Sequence, residues 1–405
     1  MGGDGLIKKV GSHFRFQQVL LIPGIILLAA NLRPAITGVG PLVDTISRAT
    51  GLSQALAGLL TTLPLVAFGL VSPVSPVLVR RLGIERTLFL GLAILSLGIL
   101  LRSLGPISSL LIGMFLVGSG AAIGNVLLPG LVKRDFPFKI GIMTGLYSTV
   151  MNIFAALSSG MSVPLSHISG VGWRGSLASW ILLTGCAMVL WLPQMKNHHS
   201  LSSNAHISLR HSRVAWQITL FMGLQSLLFY VNVAWLPNLL HDRGMTLAGA
   251  GWMVSLMQFV SLPASFLMPI IAGRRKNQQS LVLLVGLLFG IGYLGLLLAG
   301  ISTSWIWIVL IGMAGGASIS LALAFFSLRS HTHSEAAQLS GMAQSIGYLL
   351  AALGPISIGL IHHATKNWAI PLAVLLAIVV LMGLFGWGAG QDVYVNDGSQ
   401  ASLTA

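Results

Sequence analysis

Arg33 stands near the middle of an apolar run that extends from about residue 19 to 43. A guanidinium at the centre of a spanning helix costs about 2.5–3.5 kcal/mol on insertion scales, so it is expected to face a watery cavity or a partner rather than lipid. In a continuous helix Thr37, Gly40 and Asp44 follow at i+4, i+7 and i+11, which puts them on the same face and predicts a polar stripe from the midplane to one mouth. The sequence supplies no carboxylate at that depth. Its eight acidic residues are Asp4, Asp44, Glu85, Asp135, Asp242, Glu335, Asp392 and Asp397, and each falls in a loop, a terminus or at a helix end. Asp44 is about 16 Å from Arg33 along a helix, too far to pair with it. An uncompensated cation suits an anion or a small neutral polar solute and disfavours a lipophilic cation. The bland reading is an arginine held by carbonyls of a facing span.

Further polar side chains interrupt the apolar runs: Asn125, Tyr147, Ser148, Asn152, Gln225, Tyr230, Asn232, Gln258, Tyr293, Gln344 and Tyr348. Arg33, Thr37, Asn125, Asn152, Asn232, Gln344 and Tyr348 form the expected substrate-binding set. The same groups could equally serve as hydrogen bonds between helices. Enzyme-like patterns dissolve on inspection. Gly290-x-Gly292-x-x-Gly295 matches a dinucleotide fingerprint but lies inside an apolar span instead of between a strand and a helix. His198-His199, His331-x-His333 and His362-His363 lack a Cys or carboxylate set at metal-ligand spacing. No catalytic triad spacing occurs. The reading is therefore a non-enzyme with no cofactor and no metal.

These residues need spanning elements to position them. Of 405 residues 55% are hydrophobic and 7% charged, with a mean hydropathy of +0.88, whereas soluble domains carry roughly a quarter charged residues. Twelve apolar runs long enough to cross a bilayer lie near 19–43, 54–79, 87–105, 108–131, 140–166, 176–193, 214–238, 247–272, 279–299, 304–328, 336–361 and 368–390. A polar interval rich in Ser, His and Asn follows the sixth run. It divides the chain into a six-helix half (1–194), a linker (195–213), a second six-helix half (214–390) and a tail (391–405). The net charge of +14 comes from small basic clusters between the runs and not from one solvated face, which argues against a nucleic-acid partner. Sixteen of the Lys and Arg residues fall on the side of the N-terminus and five (Arg48, Arg102, Arg174, Arg243, Lys366) on the other. The positive-inside rule then places both termini and the linker in the cytoplasm.

An internal repeat accompanies the two halves. A shift of 196 residues lays Gly120-Ala121 on Gly316-Ala317, Gly145 on Gly341, Ser148 on Gln344 and Asn152 on Tyr348. A shift of 193 lays Gly51 and Gly58 on Gly244 and Gly251. Parallel six-span repeats about an axis along the membrane normal are the architecture this implies.

The stretches from Asn31 to Asp44, from Gly124 to Pro137 and from Gly341 to Leu350 resemble the cyanate and nitroimidazole transporter (CynX/NimT) family of the major facilitator superfamily, with the nitroimidazole exporter branch the more similar. The resemblance implies an all-α membrane protein of twelve helices in two pseudo-symmetric halves. It would work by alternating access on substrates such as cyanate or nitroimidazole. In the superfamily's loop between spans two and three, Arg81 and Gly83 match the usual pattern, while Pro76 replaces the usual Gly and Arg80 the usual Asp. Arg81, Gly83, Glu85 and Arg86 are the gating residues this implies, with Glu85 standing in for the missing Asp. The expectation is a monomeric transporter in the cell inner (plasma) membrane, with a small-molecule substrate and the lipid bilayer as its partners. Efflux of non-cationic toxic compounds is the neighbouring alternative, and a non-transporting receptor or assembly factor a more distant one. In a Cys186→Ser background, cysteines at positions 48, 174 and 366 should react with an impermeant maleimide on intact cells. Those at 134, 203 and 275 should not, and their labelling would reverse the orientation.

Overall fold

The computed structural model describes residues 21–52, 54–196 and 209–396. Among these all long regular elements are helices, the form in which an apolar segment satisfies every peptide group internally. In chain order they are α1 (Leu21–Leu42), α2 (Gln54–Val71 with Ser75–Leu82), α3 (Ile84–Leu104), α4 (Ile107–Asp135), α5 (Ile140–Ser166) and α6 (Gly172–Met195). The second set is α7 (Arg213–Asp242), α8 (Leu247–Gly273), α9 (Gln279–Leu298), α10 (Ser304–Leu328), α11 (His333–Thr365) and α12 (Ala369–Ala389). Among the described residues eleven helices are long and apolar enough to cross a membrane, and a pair bent by 55° within α2 makes a twelfth span if taken as one. The bend falls at Pro73, whose ring removes a backbone donor. Ser212, Thr246 and Thr332 cap α7, α8 and α11 by accepting from the backbone N–H three residues on.

The segments before Leu21, between Lys196 and Leu209 and after Asn396 lie outside the described residues, and with them most of the expected linker and the first basic cluster.

The halves meet through α5 against α8 and α10, and through α11 against α2 and α4. Both contacts use glycine for close approach. A Cβ at Gly145 of α5 would stand 2.6 Å from the Phe266 carbonyl oxygen, and one at Gly341 of α11 2.9 Å from that of Ser72. These two glycines coincide under the 196-residue shift, so the repeat builds two matching seams. Ser327 donates to Pro129 O at 2.9 Å and Ser345 to Gly69 O. The seams therefore run from the middle of the bundle to the end that carries the basic loops.

At that same end, the chain after α12 folds back. Val395 N–H donates to Arg329 O (3.0 Å), Tyr394 stacks on His331 (4.0 Å between centroids), and Asn396 donates to Glu335 (3.2 Å). Arg329 is itself buried. Its guanidinium donates to the carbonyls of Ala389, Lys276 and Gly390 and to Gln278.

Two expectations are corrected here. The polar stripe of Arg33, Thr37, Gly40 and Asp44 needs a continuous helix, but α1 breaks at Leu32–Arg33 and again at Gly38–Val39. Pro34 and Pro41 lack the donors that would continue it. Gly38 packs against Ser158 and Ser162, whereas Gly40 is exposed. Asp44 falls in a separate short helix, Val43–Thr50. Secondly, Arg102, counted above with the loop cations, is 1% exposed. Its Nη1 donates to Ala35 O and its Nη2 to Leu177 O (3.2 Å). Hydropathy placed it at a helix end, but the broken α1 supplies a carbonyl there that needs a donor. Arg102→Leu should strand both carbonyls and cost about 1–3 kcal/mol of stability for each, read as an early melting transition of the purified protein, with Arg102→Lys losing less.

Candidate functional site

Leu32 and Arg33 occupy the turn between helical residues 21–31 and 34–37. The Arg33 carbonyl accepts from Ile36 N and Thr37 N (both 2.9 Å), so the backbone of the break is used up locally while the side chain is free to turn inward. Its Nη1 donates to Asn152 Oδ1 of α5 at 2.7 Å, and its guanidinium carbon lies 6.0 Å from the centroid of Phe229, within cation–π range.

Arg33 and Asn152 form one wall of a cavity of about 580 Å³, including its mouth, between the two halves. Around them α7 contributes Gln225, Ser226, Phe229, Tyr230 and Asn232, α8 contributes Gln258 and Ser261, and α11 contributes Tyr348. Phe289 of α9 and the small residues Gly312, Gly315 and Gly316 of α10 complete the enclosure. Arg33 is the one charged side chain among the lining residues. Tyr230 and Tyr348 both stand within electrostatic reach of it, and Tyr348 is braced from behind by Phe68 (4.6 Å between centroids). The site thus offers a cation, amide and hydroxyl donors, and several aromatic faces. Such a combination holds a small flat solute by its edge and its plane.

Of the expected binding residues, Arg33, Asn152, Asn232 and Tyr348 line this cavity. Asn232 shares its amide with Tyr293, donating to the phenol oxygen at 2.8 Å and accepting from it at 3.0 Å, so it presents a wall more than a free donor. Thr37, Asn125 and Gln344 stand outside the lining. Thr37 bonds the carbonyls of Arg33 (3.2 Å) and Ala155 (3.1 Å). Asn125 Nδ2 donates to Ala121 O (3.0 Å), and Gln344 Nε2 donates across the halves to Asn125 O (2.9 Å). Gln225, Tyr230 and Gln258 were visible as polar interruptions but not as members of one site. Phe229 and Phe289 gave no signal, because an aromatic in an apolar span is ordinary core.

The repeat sorts these residues. Asn152 and Tyr348, equivalent under the 196-residue shift, both line the cavity beside Arg33. Ser148 and Gln344, one turn earlier, both bond across the seam beneath it, Ser148 to Ser265 O (3.3 Å) and Gln344 to Asn125 O.

The expected gating residues lie at the α2–α3 corner. Gly83 takes φ 82° and ψ 162°, a conformation open to glycine alone. Glu85 is buried and pairs with Arg134 of the same half at 2.8 Å. Arg81 and Arg86 are exposed.

The sequence profile described as Major Facilitator Superfamily matches residues 24–355. The "2-nitroimidazole transporter" of Escherichia coli (strain K12) is 43% identical over 380 residues, covering 93% of this chain and 96% of that protein. The "Cyanate transport protein CynX" of the same organism is 27% identical over 364 residues, covering 88% and 94%. Among solved structures, the proton:xylose symporter XylE superposes with a TM-score of 0.76 at 11% identity, covering 94% of this chain and 98% of that one. That likeness is one of fold.

Thr37→Val should lower the melting temperature by the loss of about 1 kcal/mol of hydrogen bonding and weaken the affinity for a bound solute less than a change at Arg33 does. Tyr348→Ala should weaken binding of a solute and, by emptying the space against Phe68, lower the melting temperature as well, which isothermal titration and thermal melts on both variants would show.

Proposed function

The chain belongs to the major facilitator superfamily, in the branch of the cyanate and nitroimidazole transporters, and from that footing we propose that it transports a small planar solute, neutral or singly anionic, bound at Arg33. One observation carries the reading. A guanidinium sits in a cavity between the halves with one edge held by Asn152 and no carboxylate among the residues around it. A carboxylate there would repel an anion and recruit a cation. Its absence leaves Arg33 able to donate to a nitro, carboxylate or cyanate-like acceptor. Arg presents a planar fork of donors that a point-charge Lys cannot reproduce, and the aromatic walls suit a flat ring.

In the same proposal the protein works as a monomer, with residues 1–194 and 214–390 as two rocking bodies joined by the 195–213 linker and both termini in the cytoplasm. The α5–α8 and α2–α11 seams then close the cavity towards the cytoplasm, and the solute enters from the other face. Glu85 contributes to that inner end by holding Arg134, with Gly83 setting the corner, while Arg81 and Arg86 offer exposed charge to the cytoplasmic surface. Thr37, Asn125 and Gln344 act on the site through helix position.

Binding of 2-nitroimidazole and of cyanate by the purified protein, followed by counterflow in proteoliposomes, tests the reading. Arg33→Gln should weaken an anionic ligand about 10- to 100-fold, the worth of one charge-assisted hydrogen bond, and a neutral one about fivefold. Arg33→Lys should fall between, with the melting temperature at or above that of the parent. If the folded fraction of Arg33→Gln binds and exchanges as the parent does, the site is misplaced.

A further inference from the structure

The hydrogen bonds leading away from Arg33 all point the same way. Arg33 Nη1 donates to Asn152 Oδ1 (2.7 Å), Asn152 Nδ2 donates to Ser265 Oγ (2.9 Å), and Ser265 Oγ donates to Gly316 O (3.1 Å). The first two residues belong to α1 and α5, the last two to α8 and α10, so the chain crosses from one half to the other. Ser265 has a single hydroxyl proton, which goes to Gly316 O. Its lone pair is thereby turned to the Asn152 amide, and each bond holds the next in orientation.

The position of this chain matters as much as its direction. Asn152 lines the cavity, while Ser265 is fully buried and heads the α5–α8 seam. Directly beyond it Gly145 meets Phe266 O and Gly141 meets Pro269 O, at 2.6 and 2.4 Å from where a Cβ would stand. The Asn152–Ser265 bond is thus the rung of the seam nearest the cavity, and its donor is the amide already bonded to Arg33.

We propose that the Asn152–Ser265 hydrogen bond is the coupling element through which occupancy of the cavity is transmitted to the seam, with Asn152 and Ser265 as positioning residues. The inference rests on the reading that the solute engages Arg33. An acceptor that takes Nη1 displaces Asn152 Oδ1. The amide, released at one end, then reorients and relaxes its hold on Ser265. The loss of this first rung lowers the free energy needed to part α5 from α8, so a bound solute favours opening of the end that the seam closes.

Ser265→Ala removes the acceptor of Asn152 without altering a cavity-lining side chain. The reporter is a cysteine at Ala337, a residue 1% exposed that packs on Gly130 in the other seam, in a Cys186→Ser background. Its maleimide labelling rate is measured on the purified protein with and without 2-nitroimidazole. In the parent, ligand should accelerate labelling. In Ser265→Ala the ligand-free rate should already be raised about fivefold, the effect of losing one hydrogen bond, and ligand should add little. Ser320→Ala deletes another hydroxyl of the same interface, bonded to Ser148 at 3.2 Å but outside the chain from Arg33, and should keep the parent's ligand response. Equal behaviour of the two alanine variants, or a Ser265→Ala protein whose ligand-free rate and ligand response match the parent's, would overturn the proposal. If wild-type protein shows no Arg33-dependent binding of 2-nitroimidazole, the solute reading fails. The ligand-free comparison of Ser265→Ala with the parent then still decides whether the bond holds the seam.

Discussion

A hydrocarbon interior offers no water to a peptide group, so a chain that interrupts a spanning helix must find a donor for each carbonyl it releases. The first span of this protein is interrupted twice, and much of the first half is arranged around the consequences. Ala35 O is taken by Arg102 from α3 and Thr37 O by Ser159 from α5 (3.2 Å), while Ser158 adds a second donor (2.7 Å) to Pro34 O, which also accepts from Gly38 N–H (3.0 Å). The break turns Arg33 out of the helical path towards the centre, and the donors that repair it hold α3 and α5 against α1. The feature that builds the site therefore also ties together the helices that enclose it.

The same economy appears between the halves. A seam of glycines and serines replaces the large apolar contact of a soluble interface, because in lipid the alternative partner is as apolar as leucine and close backbone approach becomes the main source of attraction. Gly145 and Gly341 give matched seams with few bulky side chains to disengage. Such an interface can part without exposing much apolar surface to water.

Much of this was legible in the chain. The lone Arg33 stood out by its cost, the spans by their hydropathy, and the register of 196 residues by its glycines. That register also paired Asn152 with Tyr348, which both line the cavity, and Ser148 with Gln344, which bond across the seam instead. What escaped depended on neighbours remote in sequence. Arg102 reads as a helix-end cation unless the broken α1 is known to lie beside it. Thr37, Asn125 and Gln344 are polar in an apolar run like Asn152, and only the crossing of α1, α4, α5 and α11 decides which of them meets a carbonyl and which meets the cavity. Phe229 and Phe289 carry no mark at all. A periodicity argument also assumed one helix through two prolines, and the stripe from Arg33 to Asp44 failed with that assumption.

The fold-back after α12 has a consequence for how the protein is made. Arg329 leaves the ribosome about sixty residues before the carbonyls of Ala389 and Gly390 that hold it. Until then its guanidinium has only the earlier partners Lys276 O and Gln278 and lacks half of its final set. The arginine can therefore act twice, first as a charge that anchors its loop while the later spans insert, and then, once α12 is made, as the bolt that the residues at its end close upon.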